Sequence, residues 1–197
     1  MASPTDTREF LYHQMPKNGV VVEIGTMSGE NAVKIINHSK PKILHLVDPN
    51  MDIIKTPPSK LKNAKQANIC RVLRHSPINL IEEYSVPASK QFEDNSIDWI
   101  YIDGDHSYEF VKADLAYWLP KIKKGGYICG HDFDPFYASW KGVNQALYEF
   151  VVGYVEKDLD LFNKYKNDSN AFEQGARTPS ELLSVLEKHV EYNFIDY

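Results

Sequence analysis

Short apolar runs alternate with longer amphipathic segments along most of the chain. Val20-Val21-Val22-Glu23-Ile24 is a β-branched run that stops at Gly25, which predicts a buried strand. From Ser28 to Asn37, the residues Ala32, Val33, Ile35 and Ile36 recur at helical spacing, with Ser28 as the expected N-cap. Ile43 to Val47 predicts a second strand closed by Asp48-Pro49, and Pro57-Pro58 interrupts the crossover that follows. Leu61 to Leu73 is expected to be helical, and Ile78 to Glu83 to be a third strand. Ile97 to Ile102 predicts the fourth strand. Tyr108, Val111, Leu115, Trp118 and Ile122 then mark one face of a helix, with Pro120 near its end. Gly125-Gly126 turns into a fifth strand, Tyr127 to Gly130, and Val143 to Val152 predicts a further helix.

Strand and helix alternate five times at βαβ spacing, which calls for an α/β fold: a mostly parallel sheet with helices on both faces. Such sheets bind ligands outside the carboxyl ends of their strands. The residues that follow each strand are therefore the ones to read for chemistry. The pattern weakens after residue 153: Gly153 to Asn170 is polar, Glu173 to Thr178 reads as a loop, Pro179 to Lys188 as a helix and His189 to Ile195 as a strand.

The 197 residues are one domain by size, with the core at 18–152. A net charge of -5 and a pI near 5.8 leave no basic stripe, which argues against a nucleic-acid partner. Two cysteines, Cys70 and Cys129, lie far apart without CxxC spacing and read as reduced core thiols. The first residues lack the basic and apolar regions of a secretory signal, and no apolar run approaches the roughly 20 residues that span a bilayer. The expected location is the cytoplasm, away from membranes. Pairing into a homodimer is left open.

After the first strand comes Glu23-Ile-Gly25-Thr26-Met-Ser28-Gly29. Gly25 suits a tight turn, and Gly29 the close approach of a ligand or of the helix. The spacing differs from GxGxxG, and Glu23 would repel a pyrophosphate but could hold an ammonium, directly or through water. An NAD(P)-dependent oxidoreductase is thereby disfavoured. Asp48 lies 23 residues beyond Gly25, near the spacing at which an acidic residue takes the ribose hydroxyls of an adenosine ligand. The segment resembles motif I of the class I S-adenosylmethionine (SAM)-dependent methyltransferases. That resemblance implies that the loop cradles the methionine part of SAM. Ser85, after the third strand, matches a serine that contacts adenine in catechol-type O-methyltransferases.

The fourth and fifth strands end in Asp103-Gly-Asp-His106 and Gly130-His131-Asp132, with Asp114-Leu115 and Trp118-Leu-Pro120 between them. Neighbouring strand ends in a sheet lie about 5 Å apart, so Asp103, His131 and Asp132 could converge on one cation. The run resembles the macrocin-type sugar O-methyltransferases, the methyltransferase domain 24 family, from residue 20 to about 150. The resemblance implies a Rossmann-like methyltransferase with a seven-stranded sheet, or a truncated one. It also implies a small-molecule methyl acceptor, and a divalent cation, Mg²⁺ or Mn²⁺, at Asp103, His131 and Asp132. His131 stands where the family usually has an acid, and imidazole suits Mn²⁺, Fe²⁺ or Zn²⁺ better than Mg²⁺. His106 matches a histidine that is a candidate general base in some relatives, and Asp103 could also take the proton. Asp105 is expected to favour the helix dipole or a supporting role. A SAM-binding scaffold without chemistry is the rival outside enzymes, disfavoured by Asp103, His106 and Asp132. The remaining histidines, His13, His38, His45, His75 and His189, suggest no site. Phe133, Phe136, Tyr137 and Trp140 are expected to line a substrate pocket after the fifth strand.

Overall fold

A computed structural model of the chain describes residues 7–132, 141–150 and 193–196. Five strands follow one another in the order expected: β1 Val20–Ile24, β2 Ile43–Val47, β3 Ile78–Ile81, β4 Ile97–Ile102 and β5 Ile122–Gly130. A sixth, β6 (Asn193–Asp196), lies beside β5. The spatial order is β3-β2-β1-β4-β5-β6, and every adjacent pair is parallel. Six strands are thus present among the described residues, against the seven implied by the family resemblance. β6 overlaps the strand expected at 189–195, of which 189–192 lie outside the described residues.

Alternation along the strands assigns the two faces. Val21, Leu44, Leu46, Trp99 and Tyr101 pack into one buried cluster with Leu11, Tyr12, Ala32, Ile35, Ile69 and Leu73. Those partners belong to α1 (Thr7–Gln14), α2 (Glu30–Ser39) and α4 (Ala64–Arg74). Between β2 and α4 lies the single turn α3 (Asp52–Lys55). Val22, Ile24, Val47, Ile100 and Ile128 face the other cluster, with Ala88, Val111, Leu115, Trp118, Val143 and Ala146. These come from α5 (Ser85–Ser89), α6 (Tyr108–Trp118) and α7 (Lys141–Phe150). Helices cover both faces, as the alternation requires.

The sequence pattern missed α1. Its apolar side consists of Leu11 and Tyr12, with Met15 just beyond its end, all of them buried. Tyr12 packs against the rings of Trp99 and Tyr101, at centroid distances of 5.8 and 5.6 Å. Ser28 is not the N-cap of α2. Gly29 occupies that position in the left-handed conformation, and the helix begins at Glu30. The expected helix at 61–73 starts at Ala64, where Asn63 caps it by accepting from the Gln66 N–H. The fifth strand starts earlier than expected, at Ile122, and takes Gly125-Gly126 into a register irregularity against β4. His13 and His38 pair with each other, His13 Nε2 lying 2.8 Å from His38 Nδ1. Cys70 and Cys129 are buried and form no disulfide among the described residues. Among the described residues no helix is long and apolar enough to cross a membrane.

Candidate functional site

The order of connection reverses between β1 and β4: β1 leads to β2 on one side, and β4 leads to β5 on the other. A crevice opens at such a switch point, outside the carboxyl ends of the strands. A cavity of about 760 Å³ lies there, walled by the loops after β1, β2, β3 and β4. Gly25, Thr26, Ser28, Asp48, Ser85, Asp103 and His106 all contribute to its wall. The phenol of Tyr84, the ring of Phe110, Arg8 of α1 and Asn31 and Lys34 of α2 also line it, none of them singled out by motif.

The glycine loop is built by contact with protein as much as by need for a ligand. Gly25 has φ +81°, and a Cβ there would lie 2.0 Å from the Asp103 carbonyl oxygen. Its N–H donates to the Val47 carbonyl, so one glycine stitches the ends of β1, β2 and β4 together. A Cβ on Gly29 would meet Leu73 Cδ1 at 2.7 Å, so this glycine serves helix packing and is off the cavity wall.

Glu23 is also off the wall. It is fully buried on the α1–α2 face of β1, where Asn31 Nδ2 donates to its Oε1 at 2.8 Å. Tyr12 donates its hydroxyl to Asn31 Oδ1 at 2.9 Å, completing a chain from α1 through α2 to β1. Burial raises the Glu23 carboxyl to about 8, with the negative charges of Asp103 and Asp48 adding to the rise. At neutral pH the group is therefore largely protonated. Glu23, expected to hold a ligand ammonium, thus does not line the cavity, whereas its hydrogen-bond partner Asn31 does.

Asp48 is positioned by two backbone donors. Met27 N–H reaches its Oδ2 and Asn50 N–H its Oδ1, each at 2.8 Å. A carboxylate has about four acceptor positions, so the two oxygens retain capacity for a ligand diol. Ser85 opens α5, and its Oγ accepts from Trp118 Nε1 at 2.7 Å. Asp114 is buried nearby, and burial pushes its carboxyl up to about 6, with Ser85 pulling it back.

Four side chains gather at the ends of β4 and β5. Ligand atoms of Asp103, His106, His131 and Asp132 all lie within 4.8 Å of one another. Nδ1 of His131 is 2.9 Å from Asp132 Oδ1 and 3.7 Å from Asp103 Oδ1. The three residues expected to converge do so, and His106 joins them as a fourth. Burial raises the Asp103 carboxyl, and the nearby imidazoles of His131 and His106 pull it back. Asp132 has φ +65°, a conformation that Asp tolerates better than most residues and that turns its carboxylate back to the cluster. Asp105 accepts from the Ser107 N–H at 2.8 Å, supporting the loop that carries His106. The aromatic residues expected to line a pocket at 133–140 lie outside the described residues.

A family model described as a methyltransferase domain matches residues 22–133, which carry every part of the cavity wall except Arg8. An uncharacterized protein of Acanthamoeba polyphaga mimivirus is 28% identical over 180 residues, covering 85% of this chain and 79% of the relative. Among solved structures, a protein from Corynebacterium glutamicum shares the fold at a TM-score of 0.50 and 14% identity, over 90% of this chain and 74% of its own. Spermidine synthase from Thermotoga maritima is similar at a TM-score of 0.46 and 17% identity over 72% of this chain, which spans 47% of that enzyme.

Proposed function

Because the chain belongs to the family of methyltransferase domains, we propose that it transfers the methyl group of SAM to a hydroxyl of a small molecule, assisted by a divalent cation. One observation carries this reading. Asp103 and His106 belong both to the cavity wall and to the four-residue cluster, so a nucleoside ligand and a cation would meet at the same strand ends.

The residues present suit an adenosyl ligand. The backbone-oriented Asp48 carboxylate can accept from both ribose hydroxyls, a bidentate arrangement. Thr26, Ser28 and Asn31 would enclose the methionine part, with protonated Glu23 fixing Asn31 from behind. SAM supplies an electrophilic sulfonium methyl. What remains for the chain is to align the acceptor hydroxyl and remove its proton.

The donor set also suits a cation. Two carboxylates and two imidazoles form a mixed oxygen and nitrogen site, which favours Mn²⁺, Fe²⁺ or Zn²⁺ over Mg²⁺. Asp103, His131 and Asp132 would hold the ion, whose contribution is to make the acceptor hydroxyl more acidic. His106, whose Nε2 is 2.8 Å from Asp132 Oδ2, would accept that proton once the Asp132 carboxylate turns to the cation. Equilibrium dialysis with labelled SAM tests the cofactor half. Saturable binding in the micromolar range supports it, and no retention above background rejects it.

A further inference from the structure

Helix α7 meets the segment from His106 to Tyr108 at two points. Its second residue is Gly142, and a Cβ there would lie 2.5 Å from the His106 carbonyl oxygen and 2.6 Å from the Tyr108 nitrogen. Glycine lets the helix come this close to that backbone. Toward the other end of α7, Glu149 accepts from the Tyr108 hydroxyl. The segment thus lies against α7 by its main chain and is tied to it by a side chain.

Glu149 is 2% exposed, and donors surround its carboxylate. Oε2 takes the Tyr108 hydroxyl and, at 3.3 Å, Lys112 Nζ, while Oε1 takes Gln145 Nε2 at 3.2 Å. Lys112 Nζ also donates to the Tyr108 oxygen at 2.7 Å, so the single phenol proton is left to point at Glu149. Burying a carboxylate carries a desolvation penalty that an apolar residue packed between α6 and α7 would not. What the carboxylate adds is direction, since its acceptors fix the phenol in one place. Tyr108 opens α6, two residues after His106, and Ser107 at the N-cap makes no capping side-chain bond. The anchor that α6 lacks at its own start is supplied by α7.

On the reading of His106 as the proton acceptor, we infer that Glu149 is a positioning residue: by holding Tyr108 against α7 it sets where the His106 loop stands over the strand ends, and with it the contact of the imidazole with Asp132. Glu149 is off the cavity wall and acts through Tyr108.

The test is an NMR spectrum of the histidine ring nitrogens in the isotope-labelled full chain, at one fixed pH and without ligand. His106→Gln identifies the His106 signals. Glu149→Ala, and Tyr108→Phe, which loses only the hydroxyl, should shift the Nε2 signal of His106 from its wild-type position, because its contact with Asp132 changes. Glu149→Gln still offers Tyr108 an acceptor and should leave the signal in place. The His13 and His38 signals, from α1 and α2, should stay fixed in all three variants and report an intact fold. A purely structural role would lower stability and leave the His106 signal where it is. If Glu149→Ala does not fold, Tyr108→Phe decides alone. An unmoved His106 signal in Tyr108→Phe, or the same displacement in Glu149→Gln as in Glu149→Ala, overturns the inference. The spectra need no SAM, so failure here is distinct from failure of the cofactor reading, which dialysis detects.

Discussion

Nε2 of His106 lies 2.8 Å from Oδ2 of Asp132, although one residue follows β4 and the other follows β5. The contact closes a ring of four potential ligands across two strand ends. It also makes His106 a neighbour of the proposed cation as well as of the cavity.

The cluster should bind Mn²⁺ without any cofactor. Titration of Mn²⁺ into the full chain, followed by the electron paramagnetic resonance signal of the free ion, should show one site. Asp132→Asn, which tolerates the same backbone conformation, should weaken it by at least about tenfold. Unchanged Mn²⁺ affinity in that variant would remove Asp132 from the site.

Exchanging His131 for Asp should alter ion preference. With Asp at 131 the three residues that would hold the ion are all carboxylates, a harder set, so Mg²⁺ should gain affinity relative to Mn²⁺. Competition between the two ions in wild type and His131→Asp reads the change directly. The same Mg²⁺ to Mn²⁺ ratio in both would show that His131 is no ligand.

The two motif glycines should differ sharply in cost. Gly25→Ala places a Cβ 2.0 Å from the Asp103 carbonyl oxygen, which is backbone and cannot yield, in addition to the left-handed strain. It should lose at least about 3 kcal/mol in urea unfolding. Gly29→Ala meets side-chain atoms alone, the nearest being the end of Leu73 at 2.7 Å, so the loss should stay near the conformational penalty of about 1–2 kcal/mol. Equal losses would contradict this division of roles.

Glu23 should give the chain a recognisable pH dependence. Its folded value of about 8 lies above the ordinary 4.5, so the folded chain holds a proton that the unfolded chain releases in that window. The resulting stabilisation is complete below pH 4.5 and is lost as pH rises through about 8. Asp114 acts with the same sign up to about 6. Glu23→Gln, permanently neutral, should flatten the fall and exceed the wild type in stability at pH 9. Parallel stability profiles for the two proteins between pH 5 and 9 would show that Glu23 is ionised in the folded chain.

Much of the arrangement was legible because it depends on local pattern. Asp48 and Asp103 directly follow buried β-branched runs, and any residue there must stand at the carboxyl edge of the sheet. Glu23 could have been placed better by period two: it shares a strand face with Val21, which points to α2 and not to the strand tip. Asp114 carried its own signal, a charge inside the apolar stripe of Val111, Leu115 and Trp118. Arg8 and α1 were hidden, since Leu11, Tyr12 and Met15 show their meaning only once Trp99 and Tyr101 are in place to receive them. His106 as a cluster member depends on how the loop from Asp103 to Tyr108 turns, which spacing alone does not encode.

The most direct measurement is calorimetric titration of S-adenosylhomocysteine into the wild-type chain and into Asp48→Ala. Two charge-assisted hydrogen bonds to the ribose are worth about 1.5–3 kcal/mol each. The wild type should bind with micromolar Kd and Asp48→Ala at least about tenfold more weakly, with circular dichroism unchanged. Heat indistinguishable from dilution in the wild type, or equal affinity in the two proteins, would contradict an adenosyl ligand held at these strand ends.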